Sequence, residues 1–152
     1  MAQAKEFKPL KELGTISLSD TTRIKFYVDE YKGYKYGSIR TFIVGESYTG
    51  PTKSGITLNA GLLDDILPVL QKLPKEPETK EDKELARFPK KAGVKLVVRI
   101  TIFRDTTGVD LREWVEDSSY KGWSKKGVRI PYKDVPQAAS YLKEMRQLVA
   151  KE

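Results

Sequence analysis

Shifted by 72 positions, the 152-residue chain falls on itself without a gap. Glu12-Leu13 lies over Glu84-Leu85, and Tyr31-Lys32 over Phe103-Arg104. Ile39-Arg40-Thr41-Phe42 lies over Leu111-Arg112-Glu113-Trp114, Lys53-Ser54-Gly55-Ile56 over Lys125-Lys126-Gly127-Val128, and Leu70 over Leu142. One shift that satisfies hydrophobic, glycine and arginine positions together describes a tandem duplication. That narrows the fold to two copies of one small module sharing a core.

Within each copy the periodicity is that of strands followed by a helix. Ile24, Phe26 and Val28 alternate with Arg23, Lys25, Tyr27 and Tyr31 between Thr22 and Tyr31. Lys32-Gly33 reads as a tight turn into Tyr34–Val44, where Ile39, Thr41 and Ile43 alternate with Tyr34, Tyr36, Arg40 and Phe42. A short first strand, Leu13–Leu18, precedes them. A loop over 45–52 leads to a short fourth strand, Lys53–Leu58. Asn59 is a helix N-cap, and Leu62, Leu63, Ile66, Leu67, Leu70 and Leu73 recur at helical spacing. Pro68 leaves two readings open: a kinked helix, or one starting near Asp64-Asp65 with Pro68 in its first turn.

The second copy runs through Leu85–Phe88, Val94–Phe103, the turn 104–108, the strand from Val109 to Trp114, a loop over 116–126 and Gly127–Ile130. Its helix begins near Lys133-Asp134 and runs to Lys151, with Val135, Ala138, Ala139, Leu142, Met145 and Val149 as its apolar stripe. The expected organisation is a flexible arm (1–11), a first β4-α module (12–73), a charged linker (74–83) and a second β4-α module (84–152). The fold class is α+β: two tandem β-β-β-β-α modules forming an intramolecular pseudo-dimer, with curved antiparallel sheets and paired helices behind.

Both copies place cations and aromatics on the face of the central strands opposite the core. In the strand containing Val109-Asp110-Leu111-Arg112-Glu113-Trp114, Val109 and Leu111 point one way while Asp110, Arg112 and Trp114 point the other. A guanidinium beside an aromatic ring is a platform for a flat, charged ligand such as a nucleobase. A formal charge of +7 and a pI near 9.4 favour polyanionic partners. The chain has no cysteine and no histidine, which removes disulfides, thiolate nucleophiles and the commonest metal ligand and general base. Glu113 and Asp110 lie on opposite faces of one strand, the wrong arrangement for a carboxylate pair, and there is no glycine-rich phosphate loop. The expectation is a non-enzyme without cofactor or metal. No apolar leader or membrane span is present in the sequence, so an intracellular protein, nuclear, cytoplasmic or nucleoid rather than secreted, is expected.

Phe103-Arg104, Val109-Asp110-Leu111-Arg112-Glu113-Trp114 and Lys125-Lys126-Gly127-Val128 before a terminal helix resemble the positive-cofactor-four transcription coactivator family. The first copy matches through Tyr31-Lys32-Gly33, Ile39-Arg40-Thr41-Phe42 and Lys53-Ser54-Gly55-Ile56-Thr57-Leu58-Asn59, and the second again at Phe88-Pro89-Lys90-Lys91. Members are single-stranded-DNA-binding proteins that form dimers of one β4-α module. The resemblance therefore implies a family dimer fused into one chain. It also implies base stacking by Phe103 and Tyr31, phosphate contact by Arg104 and Lys32, and strand-arginine contact by Arg112 and Arg40. The sequence departs from the family pattern at Val115 and Ile43, where an aromatic often stands, at Thr106 and Tyr34, where a cation stands, and at Asp105 in place of the turn glycine. Trp114, Phe42 or Trp123 would then supply the missing stacking, unless loop or helix pair covers them.

The candidate nucleic-acid-binding residues are Arg23, Lys25, Tyr27, Tyr31, Lys32, Arg40, Phe42 and Lys53 in the first copy. In the second they are Lys95, Arg99, Phe103, Arg104, Arg112, Trp114, Trp123 and Lys125. Stacking combined with phosphate attraction predicts single-strand binding with little sequence preference, because duplex DNA hides its base faces. The expected role is a transcription cofactor or strand-protecting factor with single-stranded DNA as partner, and RNA stays open. The alternatives are a protein-interaction adaptor of transcription or repair machinery, and a sheet-based single-strand binder of the Whirly or Pur type.

Overall fold

Alternating runs become strands in the computed structural model of the protein, which describes residues 8–149 and the backbone of Gln3–Ala4. β1 (Gln3–Ala4), β2 (Lys11–Ser17), β3 (Thr22–Tyr31), β4 (Tyr34–Val44) and β5 (Tyr48–Leu58) form one sheet in the order β1-β5-β4-β3-β2. α1 (Ala60–Gln71) follows. β6 (Lys83–Lys91), β7 (Val94–Phe103), β8 (Thr106–Glu116) and β9 (Lys121–Pro131) form a second sheet in that order, and a 3-10 turn (Tyr132–Asp134) leads into α2 (Val135–Leu148). Only the short β1–β5 pairing is parallel among the described strands. The protein is thus α+β, two four-stranded antiparallel meanders each followed by a helix. β3 and β7, like β4 and β8, begin and end 72 positions apart.

The outer strands are longer than their sequence suggests. β5 starts at Tyr48 rather than Lys53, and β9 at Lys121 rather than Gly127. The loop-like residues are absorbed by a bulge at the same place in both sheets. Arg40 faces Gly55 while Phe42 faces Pro51, and Arg112 faces Gly127 while Trp114 faces Trp123. Gly50 and Gly122 take φ values of 153° and 155°, a region that glycine enters at little steric cost. Such bulges bend a strand and sharpen its twist. β2 and β6 also start early, at Lys11 and Lys83, taking one residue each from the expected arm and linker. Within that arm, residues 1–2 and 5–7 lie outside the described residues.

Asn59 caps α1 by accepting from the Leu62 amide at 2.8 Å. The helix starts at Ala60, so Pro68 lies inside it. Proline there lacks the N–H that would bond back to Asp64, and it is accommodated on the exposed side of the helix. α2 begins at Val135 with Pro136 in its first turn; residues 150–152 of the expected helix lie outside the described residues. Each helix reaches both sheets: α2 lies across β2, β3 and β4 and touches β9, and α1 reaches β6 as well as β5. The approach of α2 is close. A Cβ at Gly14 would stand 2.1 Å from the Tyr141 ring, and one at Gly37 would stand 2.1 Å from Met145 Sδ. The positions 72 residues on are Ala86 and Val109, so the space on the first sheet that glycines leave is filled by the larger side chains of α2.

One continuous core results, running from Ile24, Phe26 and Ile39 through Leu63 and Ile66 to Leu111, Ile130, Leu142 and Met145. α1 and α2 pack together and are joined by Arg146, which donates to both Asp64 oxygens at 2.7 and 3.2 Å. Lys90 spans the two sheets, 2.6 Å from the Glu113 carboxylate and 3.4 Å from Thr57 Oγ1. The linker is pinned where the Tyr132 hydroxyl donates to the Pro74 carbonyl. No helix among the described residues is long and apolar enough to cross a membrane.

Candidate nucleic-acid interface

The pleat sends alternate side chains of β3 and β4 away from the helices, and their register brings the candidates together. Arg23 lies opposite Phe42, and Lys25 opposite Arg40. Arg40 Nε donates to the Tyr27 hydroxyl at 3.3 Å, and Nη1 to the Thr52 carbonyl at 2.9 Å, which the bulge presents. Lys25 sits 2.7 Å from Glu12 and 5.5 Å from the centre of the Phe42 ring. Phe42 in turn meets Tyr27 edge-on at 6.3 Å. Tyr27 and Phe42 are each only 6% exposed. Both rings are largely covered, with Arg40 and Lys25 lying against them.

The second sheet carries the same framework with different chemistry. Arg112 occupies the place of Arg40 and donates from Nη1 to the Ser124 carbonyl, 72 positions beyond Thr52. Ser38, however, becomes Asp110, 3% exposed. Asp110 accepts two bonds from Arg112, at 3.0 and 3.2 Å, and has Arg99 at 3.5 Å. Arg99 also lies 4.1 Å from the centre of the Trp123 ring. Trp123 meets Trp114 edge-on at 4.8 Å, and Arg87 caps Trp114 at 5.7 Å. Both indoles keep part of their surface in solvent. The Trp114 Nε1–H donates to Glu116 at 2.9 Å, and that bond holds the Glu116 carboxyl below its ordinary pKa. The bond from Arg87 does the same to Glu84.

The hairpin tips are alike in both sheets. Tyr31 and Phe103 are 64% and 59% exposed, and the next residue folds back over each ring: Lys32 Nζ at 5.3 Å, Arg104 Cζ at 5.2 Å. The chain reverses on two residues of positive φ, Lys32-Gly33 and Arg104-Asp105, the two-residue hairpin geometry. Four residues of strand separate Phe103 from Arg99, roughly 13 Å, so a tip ring and a strand arginine are spaced for successive contacts along an extended strand.

Of the remaining candidates, Lys53, Lys95 and Lys125 are exposed on the outward faces. Four contributors escaped the sequence reading. Glu12 and Asp110 are counter-charges whose partners, Lys25 and Arg99, only the strand register brings to them. Arg87 comes from the edge strand β6. Arg129 braces the β7–β8 hairpin through Thr101 Oγ1 at 2.9 Å and the Thr106 carbonyl at 2.8 Å. The repeat gives no hint of Arg129, because Thr57 stands in its place in the first copy.

No family model matches the chain, and no curated protein does. Among solved structures, the crystal structure of WHY3 from Arabidopsis thaliana is similar over 95% of this chain and 90% of that chain, at 8% identity and a TM-score of 0.45.

Proposed function

We propose that the outward sheet faces bind single-stranded nucleic acid, DNA in preference to RNA, with little sequence preference. The chain would act as an intramolecular pseudo-dimer of the duplicated module, in transcription or in strand protection inside the cell, and without catalysis. The observation that carries this reading is the pair of hairpin tips, each holding an exposed aromatic ring under a cation beside a sheet face that bears strand arginines. Such a tip meets a base by stacking and its flanking phosphate by charge, and neither contact depends on base identity.

The test is fluorescence anisotropy with labelled single-stranded and duplex DNA of equal length over a series of salt concentrations. Single strands should bind more tightly, with affinity falling as salt rises. Phe103→Ala and Tyr31→Ala should each weaken binding about 5- to 150-fold, the equivalent of about 1–3 kcal/mol of stacking. Equal and feeble binding of both forms, untouched by either substitution, would refute the reading and favour a protein-interaction adaptor.

A further inference from the structure

Although the two sheets share a framework, their strand arginines are in different electrostatic states. Arg112 has a carboxylate at 3.0 Å, holds it through two bonds, and spends a third on Ser124. Arg40 has only neutral partners, Tyr27 and Thr52, and its Nη2 group makes no bond among the described residues. The cause is one position, serine at 38 and aspartate at 110, two residues before the arginine on the same face of the strand. A phosphate approaching Arg112 must approach Asp110 as well, so attraction and repulsion act from nearly the same distance. A phosphate approaching Arg40 finds serine at the matching position, and the Glu12 carboxylate on this sheet is held by Lys25, opposite Arg40 in the ladder.

The aromatic surface is divided the other way. In the first sheet Tyr27 and Phe42 are covered, and Pro51 stands where the second sheet has Trp123. In the second, Trp114 and Trp123 keep partly open rings. Both tryptophans of the chain therefore report on the second sheet alone.

We propose that the two sheets hold one strand by unlike contacts, phosphate-led at Arg40 on the first and stacking-led at Trp114 and Trp123 on the second, with the Ser38/Asp110 difference as the determinant. This deepens the single-strand reading and rests on it. A strand bound so has a preferred placement: its more tightly gripped backbone lies on the first sheet and its more tightly stacked bases on the second.

The experiment measures binding of single-stranded DNA as a function of salt for wild type, Arg40→Ala, Arg112→Gln, Ser38→Asp and Asp110→Ser, with tryptophan emission followed in the same titrations. One phosphate contact to a single strand contributes about 0.7 to the slope of log affinity against log salt. Arg40→Ala and Ser38→Asp should each lower the slope by about that amount while the tryptophan quench at saturation stays as in wild type. Arg112→Gln should lower the slope by clearly less than Arg40→Ala does, and Asp110→Ser should steepen it. Thermal melts identify any variant that fails to fold; the Arg40→Ala and Ser38→Asp arms decide the matter without the Asp110 arm. Equal loss of slope in Arg40→Ala and Arg112→Gln, with wild type still preferring single strands, would overturn the division of labour alone. Absence of single-strand preference in wild type would overturn the reading beneath it.

Discussion

Replacing Gly14 by alanine tests whether α2 seats on the first sheet as closely as the packing indicates. Alanine is the residue that stands 72 positions on, at Ala86, so the change is one that the second copy already carries. In a strand it should by itself help, by about 0.5–1 kcal/mol, through a smaller loss of chain entropy. Here the new methyl would stand 2.1 and 2.2 Å from two carbons of the Tyr141 ring, well over an ångström inside contact. The ring also packs on Phe26 at 5.1 Å, so it cannot slide sideways without losing that contact. Overpacking of this kind costs about 1–3 kcal/mol and outweighs the entropic gain, leaving a net loss of roughly 1–2 kcal/mol. For a chain of this size the melting temperature should fall by about 2–8 °C.

The decisive comparison is with Tyr141→Val, which puts at 141 the residue found 72 positions earlier, at Val69. Alone it removes a half-buried ring and should cost about 1–3 kcal/mol. Combined with Gly14→Ala it should be no worse than by itself, because the methyl fills part of the space vacated. Urea melts of the four proteins would then give a coupling of about 1 kcal/mol or more. Strict additivity would refute the reasoning, since it would mean that Tyr141 does not rest on Gly14 and that α2 does not lie over the other copy's sheet as described.

Other expectations follow from individual contacts. Asp105→Gly should raise stability by about 0.5–1 kcal/mol in denaturant melts, because Asp105 holds φ at 62°, where a side chain is disfavoured. Lys90→Met should destabilise the protein by about 3 kcal/mol, since it strands the buried Glu113 carboxylate; adding Glu113→Leu should restore much of that loss. The Glu84 and Glu116 carboxyls are held below their ordinary value of 4.5, so their stabilising contribution is complete above that pH and is lost as pH falls below it. Melting temperature should accordingly fall below pH 4.5, less steeply in Glu116→Gln, in a series of thermal melts.

How much of this was legible in the sequence differs from feature to feature. The alternation of β3, β4, β7 and β8, the Lys32-Gly33 turn and the helix stripes could be read, because periodicity and turn chemistry are local; the turn expected over 104–108 is shorter, since Thr106–Gly108 already belong to β8. The first halves of β5 and β9 could not. Their glycines and proline imitate loops, and only the ladder to β4 and β8 shows that a bulge accommodates them. The face of the candidates on β3, β4, β7 and β8 was equally legible, since a strand's two sides follow from parity alone, whereas Trp123 and Lys125 fall in a stretch that reads as loop. What each side chain does on that face was not.

Tyr27 and Phe42 are buried, and Arg40 and Lys25 from the neighbouring strands lie against them, a matter of register rather than of sequence spacing. The charge of Arg99 is claimed by Asp110 on the adjacent strand, 11 positions along the chain and directly opposite in the sheet. The sequence by itself determined that two strand-rich halves, each ending in a helix, would bear outward rows of cations and aromatics, because alternation is a property of the chain. Tertiary structure alone decided which rings stay open, which guanidiniums keep uncompensated charge and which sheet each helix covers. Those outcomes depend on contacts between residues far apart in sequence, and one substitution at position 38 or 110 alters the electrostatics of a face while leaving its pattern unchanged.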